Sequence, residues 1–188
     1  MEEHAHSPAA QSPAAMPPER GADVLAPEVV ASAQRAVLAW LATADAGGCP
    51  NVSPKEVFAV VDDRVFVVAH IASPTSVRNL SVNAQACLSF VDVFVQKGFK
   101  VKGRTEIVAR SHPDFAHSHW SAPLERLTGG RFPIHAVIVL HPRSVEPIVA
   151  PSYRLFPAQT SEASQAAAAM QAYGVRPARR TDDDARQP

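Results

Sequence analysis

The chain has only two cysteines among its 188 residues, Cys49 and Cys87, far apart and outside any CxxC pair. A disulfide framework is therefore not implied, and the thiols suit a reducing, cytoplasmic compartment. No run of eighteen apolar residues occurs, so no helix is expected to span a membrane. Charge of neither sign is in excess: 18 Lys plus Arg balance 18 Asp plus Glu. That argues against a general nucleic-acid binder, which carries a basic surplus. The opening MEEHAHSPAAQSPAAMPPERG lacks the cationic start and apolar centre of a secretory signal. G-x-S-x-G, the P-loop and H-E-x-x-H are all missing, so a Ser–His–Asp hydrolase has no support. His112, His117 and His119 in HPDFAHSH do not match zinc-ligand spacing, and no metal is expected there.

Composition divides what is present into three parts. Residues 1–26 are rich in Ala, Pro, Ser and Glu and have little to bury, so they are expected to be disordered. Residues 158–188 are expected to be a disordered or loosely helical tail. One domain, 27–157, remains, large enough to bury a sizeable core.

Within it, Pro27 to about Arg35 reads as a helix with proline in its first turn, and Val30, Ala33 and Val37 on one face. LAWLATA (38–44) reads as a strand, followed by the turn Asp45-Ala46-Gly47-Gly48. PNVSPKEVFAV (50–60) is a second strand and RVFVVAH (64–70) a third, apolar enough to be covered on both faces. Ser73 to about Asn83 reads as a helix with a stripe of Val77, Leu80 and Ala84. QACLSFVDVFV (85–95), GFKVKGRTEIVA (98–109) and IHAVIVL (134–140), continued by 144–149, complete six strands, with an irregular or helical stretch over 113–128. Short strands, hairpin turns and few helices indicate a mostly β, α+β fold, a mostly antiparallel barrel with flanking helices; helices do not alternate with the strands as a parallel doubly wound sheet, the alternative, would require.

Three stretches depart from simple core patterning. The second strand starts polar: Asn51, Ser53 and Lys55 share one face, with Val52, Pro54, Glu56 and Phe58 on the other. Pro54 cannot donate to a ladder, so the strand lies at an edge or is bulged. At the helix start, Ser73 is a good cap and Pro74 a good first residue. Ser73, Thr75 and Ser76 bring three hydroxyls to unpaired backbone N–H groups, an arrangement that accepts phosphate or simply caps a helix. Finally, Lys100, Lys102 and Arg104 alternate on one strand face, with Phe99, Val101 and Gly103 opposite. This is a solvated face unless it meets an anion across a subunit boundary.

Taken in order, LATADAGGCPNVSPKEVFAVVDDRVFVVAH, SVRNLSVNAQACLSFVD and GFKVKGRTEIV resemble the pyridoxamine 5'-phosphate oxidase-like, FMN-binding split-barrel proteins over about 38–110. The resemblance implies a six-stranded antiparallel split barrel with flanking helices, a homodimer with FMN in clefts at the subunit interface, and redox chemistry carried by that flavin on a small-molecule substrate. It implies that Asn51, Val52, Ser53 and Lys55 line the cofactor. His70, Ile71, Ala72 and Ser73 would border its ribityl-phosphate side, and Ser76, Arg78 and Asn79 would hold or flank the phosphate. Lys97 and Lys100 would contribute from the second subunit. Thr75-Ser76 stands where family members often carry a basic pair, so Arg78 and Lys55 are expected to supply the charge. PSYRLFP, around Tyr153-Arg154, departs from the oxidase pattern for gripping pyridoxamine phosphate. A non-catalytic flavin-storage module, or a barrel that holds F420 or haem, shares the same scaffold.

Overall fold

The computed structural model describes residues 24–112, 115 and 119–177. Among them lie seven strands: β1 (Ala39–Ala44), β2 (Pro50–Lys55), β3 (Phe58–Val61), β4 (Val65–His70), β5 (Gln85–Asp92), β6 (Lys97–Ala109) and β7 (Ala136–Val149). Five helices accompany them: α1 (Pro27–Arg35), α2 (Pro74–Val82), α3 (Ser121–Thr128), α4 (Ser152–Leu155) and α5 (Glu162–Tyr173). The strands form one sheet in the order β2-β1-β5-β6-β7-β4-β3, antiparallel throughout.

The strand count is seven where six were expected, because PNVSPKEVFAV is two strands rather than one. Glu56-Val57 interrupts it, and β2 and β3 become the two edges of the sheet. Consecutive strands joined by two residues cannot sit at opposite ends of a flat sheet. The sheet therefore curls back on itself into a half-barrel, the split-barrel architecture that the family resemblance implies.

The concave face gathers Ala39 and Leu41 of β1, Phe58 of β3, and Phe66 and Val68 of β4. Ala86, Leu88 and Phe90 of β5, Val101 of β6, and Ile138 and Leu140 of β7 complete it. Phe90 sits among Phe58, Phe66 and Phe99, with centroids 5.7–6.3 Å apart, a spacing at which aromatic pairs attract. Leu25, Val29 and Ala33 bring α1 onto this core. Val37, expected on the α1 stripe, lies beyond the helix and is exposed. β4 is buried along both faces, since Val65, Val67 and Ala69 join Val137 and Val139 in a second cluster closed by Phe115, Leu124 and Ile134. That double burial explains its unbroken apolar run.

β6 and β7 pair along most of their length, with a step at Lys102/Gly103 where β7 carries the extra residue Arg143. Pro142, which cannot donate to the ladder, falls at this bulge. After β7, Ser161 and Ser164 cap α5 reciprocally, and Lys97 ties the helix down through Glu162 at 2.8 Å. Residues 1–23, in the segment expected to be disordered, lie outside the described residues, as does His117.

Gly103 is buried against the opposite strand, and a Cβ placed on it would overlap the His141 carbonyl. Gly103→Ala should therefore destabilise the fold by about 1–3 kcal/mol, as overpacking does. Urea denaturation should show a lower midpoint, with the slope unchanged.

Candidate functional site

The polar start of β2 faces inward. Its register pairs Asn51 with Thr43, Ser53 with Leu41 and Lys55 with Ala39, so these side chains share the concave face. Helix α2 packs across β1 and β2 and lays a polar face on them. Of the expected stripe, Leu80 is buried and Val77 packs half-buried on the core, while Ala84 lies beyond the helix; Ser76 and Asn79 are buried as well. Ser53 and Ser76 share a hydrogen bond between hydroxyls at 2.8 Å. Asn51 Nδ2 donates to Thr43 Oγ1 at 3.3 Å and to Ser76 Oγ at 3.4 Å. Asn79 Nδ2 donates to the same threonine at 3.2 Å. The seam between helix and strand is thus held by hydrogen bonds between groups that are costly to bury unpaired.

Lys55 is the exception. It is only 5% exposed, yet among the described residues no carboxylate lies within ion-pair distance of it. Its Nζ donates to Ser73 Oγ at 2.5 Å. This diverts the hydroxyl expected to cap α2, and Ser73 makes no side-chain bond to the first-turn N–H groups. Burial pulls the Lys55 ammonium below the ordinary lysine value. Next to it, burial first, then the charges of Lys55 and His135, lower the His70 imidazole. His70 Nδ1 is buried with no hydrogen-bond partner among the described residues, and its ring centre lies 6.0 Å from that of His135.

Lys55 and Ser73 open onto a recess of about 250 Å³, also lined by Pro54, Glu56, Val57, Ala69, Ile71, Ala72 and Phe132. It sits at the joint between β2 and β3, below the end of β4 and the start of α2. Lys55 and Ser73 bring a cation and a hydroxyl to it and Glu56 a carboxylate, while the other lining residues are apolar. Such a place suits an anion attached to an apolar body.

The structure therefore brings together Asn51, Ser53, Lys55, Ser73, Ser76 and Asn79, with His70, Ile71 and Ala72 at the margin. Arg78 stands on the exposed side of the same helix, its Nη2 donating to Thr75 Oγ1 at 3.2 Å. Three residues stand apart. Val52 points to the opposite face of β2 and is exposed. Lys97 is held by Glu162 and stacks 4.4 Å over the Tyr153 ring. Lys100 pairs with Glu146 at 2.8 Å, and hydrogen bonds from Lys100 and Lys102 hold that carboxyl down to about 2. Tyr153 is likewise engaged, donating to the Val95 carbonyl at 2.8 Å.

Thr43, His135 and Phe132 belong to the site without having been singled out in the sequence. Thr43 was detectable: it is the polar member of the inward alternation Ala39, Leu41, Thr43. Phe132 and His135 carry no such local signal and arrive by tertiary packing.

Comparison with known proteins agrees with this fold. The family model described as pyridoxamine 5'-phosphate oxidase matches residues 25–148. The solved structure of HupZ from Group A Streptococcus is 23% identical, with 67% of this chain and 95% of that one covered and a TM-score of 0.56. HutZ, the heme storage protein of Vibrio cholerae, is 22% identical over 66% of this chain and 94% of its own, at 0.52. An FMN-binding protein from Syntrophomonas wolfei is 16% identical over 64% and 86%, at 0.51. No curated protein matches the chain in sequence. The described helices include none long and apolar enough to cross a membrane.

The uncompensated charge of Lys55 has a thermodynamic signature. Its folded-state pKa is depressed, so just below the ordinary lysine value the unfolded chain binds more protons than the folded one. Stability of the ligand-free protein should then rise with pH across that alkaline window. Lys55→Met should abolish the rise and stabilise the ligand-free protein at neutral pH. Thermal melts of the two proteins at a series of pH values check both outcomes.

Proposed function

The chain belongs to the pyridoxamine 5'-phosphate oxidase family, whose model spans residues 25–148, and on that premise we propose that it is an FMN-binding protein acting as an FMN-dependent oxidoreductase on a small molecule. The observation that carries the reading is Lys55, a buried cation that meets only a hydroxyl. A phosphate there would supply the missing counter-charge, and charge-assisted hydrogen bonds are among the stronger ones a protein makes.

In this reading Lys55 and the hydroxyls of Ser73 and Ser76 hold the phosphate, and Arg78 reaches it over the first turn of α2. Its present bond to Thr75 is exposed and cheap to exchange. Asn51 and Ser53 position the ribityl side, and Asn79 holds their network through Thr43. His70, neutral at pH 7, offers its unpaired Nδ1 to the same ligand. Ile71 and Ala72 form the apolar wall beside it. When bound, the flavin supplies the redox chemistry; the protein's own residues bind, orient and keep water away. Lys97 and Lys100 are left out, because each already holds a carboxylate.

The chain functions as a homodimer in this proposal. Trp40 and Val52 are 46% and 56% exposed on the outer face of β1 and β2. Trp40 pairs with Pro54 and Ala42 with Val52, so these apolar side chains are contiguous. An apolar sheet face of this kind marks an interaction surface, and a second copy placed there would account for Val52 near the cofactor. A second reading, a non-catalytic module that stores flavin or haem, draws on the hydrogen-bond network itself: its amides and hydroxyls satisfy one another, and among the described residues no carboxylate takes part in it.

The absorption spectrum of the purified protein tests the assignment. Flavin bands support it, a Soret band favours haem, and neither with no uptake of added FMN removes it. Turnover of NAD(P)H or an acceptor separates enzyme from store. Lys55→Ala and Arg78→Ala should each weaken FMN binding about tenfold to a hundredfold, the loss of one charge-assisted contact. Trp40→Glu should shift the protein to monomer in sedimentation, with loss of flavin; a dimer that persists would place the interface elsewhere.

A further inference from the structure

Phe132 is a large apolar side chain that the fold does not use. It is 52% exposed and belongs to neither apolar cluster. Among the described residues its ring meets no other aromatic. Yet its backbone is firmly placed. Gly129 and Gly130 take left-handed conformations after α3, and Arg131 N–H bonds the Thr128 carbonyl at 3.1 Å. Pro133 restricts the residue before it to extended backbone. Ile134, 1% exposed, is anchored in the second core, and His135 N–H bonds the His70 carbonyl at 2.9 Å. The loop thus brings a phenyl ring into the lining of the recess, together with Lys55, Ser73, Val57, Ala69 and Ile71.

We infer that Phe132 is the specificity-determining wall of this recess, packing on the flat conjugated ring of a ligand whose anionic arm is neutralised by Lys55. The inference rests on the proposed cofactor reading for the anion, but extends it to the ring and to a residue from a distant loop. Two considerations support that occupant. A half-exposed phenyl gains most from a partner of its own flat shape. The buried ammonium, with no carboxylate at ion-pair distance among the described residues, favours a partner that bears negative charge. FMN and haem both fit this description, one through a phosphate and the other through carboxylates, and titration distinguishes them.

The test measures dissociation constants for FMN, riboflavin and haemin with four proteins: wild type, Phe132→Ala, Phe132→Trp and Lys55→Met. The expected pattern has two independent axes. Phe132→Ala weakens FMN and riboflavin by the same factor, about tenfold, while Phe132→Trp restores binding. Lys55→Met weakens FMN and leaves riboflavin unchanged, since riboflavin has no phosphate. The melting temperature of ligand-free Phe132→Ala should equal that of wild type, as the ring supports no core. If haemin binds and FMN does not, the flavin reading falls, and the Phe132 role is judged by haemin in the same way. If wild type binds either ring and Phe132→Ala binds it equally well, the Phe132 role falls alone. If neither ring binds, both fall.

Discussion

The link Glu56-Val57 is the constraint on which the rest turns. Two residues join the strands that form opposite edges of a seven-stranded sheet. Their brevity curls the sheet, and the curl creates a concave face able to hold Phe58, Phe66, Phe90 and Leu140 together. The same joint makes the site. Lys55 is the last residue of β2, carried inward by the bend and kept from solvent by α2. The recess lies at that joint.

A second physical theme is the polar seam between β2 and α2. Helices usually bury an apolar stripe on a sheet. Here the buried positions Ser76 and Asn79 meet Asn51 and Ser53, with Thr43 shared between the two amides. Hydrogen bonds contribute little net free energy, but breaking one in a buried place is costly. The seam is therefore directional: it fixes the rotation of α2 and the position of Ser73 over Lys55. Ser73 gives up its capping bond in the process. A helix start left without a side-chain cap beside an unpaired ammonium is complementary to an anion twice over, through its free N–H groups and through the charge.

The two faces of β2 do different work for the same reason that any strand does, the alternation of side chains. Asn51, Ser53 and Lys55 face the interior, while Val52 and Pro54 join Trp40 on an open apolar surface. The C-terminal α5 has the opposite character. Its apolar content is mostly alanine, and it is held by polar and edge contacts: Lys97 to Glu162, Gln165 to Ser152 and Phe94 to Tyr173.

Much of this was legible in the residues, because alternation, turn chemistry and the run RVFVVAH depend on local periodicity. The strands, α1, α2, the double burial of β4 and the shared face of Asn51, Ser53 and Lys55 follow from it; that this face is inward, on the side of Phe58 rather than opposite it, follows from the break at Glu56-Val57. What periodicity does not encode is where two segments meet. The split of PNVSPKEVFAV, the diversion of Ser73 from cap to Lys55 partner, and the pairing of Lys97 and Lys100 with Glu162 and Glu146 all depend on partners distant in the chain. So does the arrival of Phe132 at the recess, from a loop sixty residues and more beyond β3. Local rules state which way a side chain points; the company it keeps is set by how the curved sheet folds distant segments onto one another.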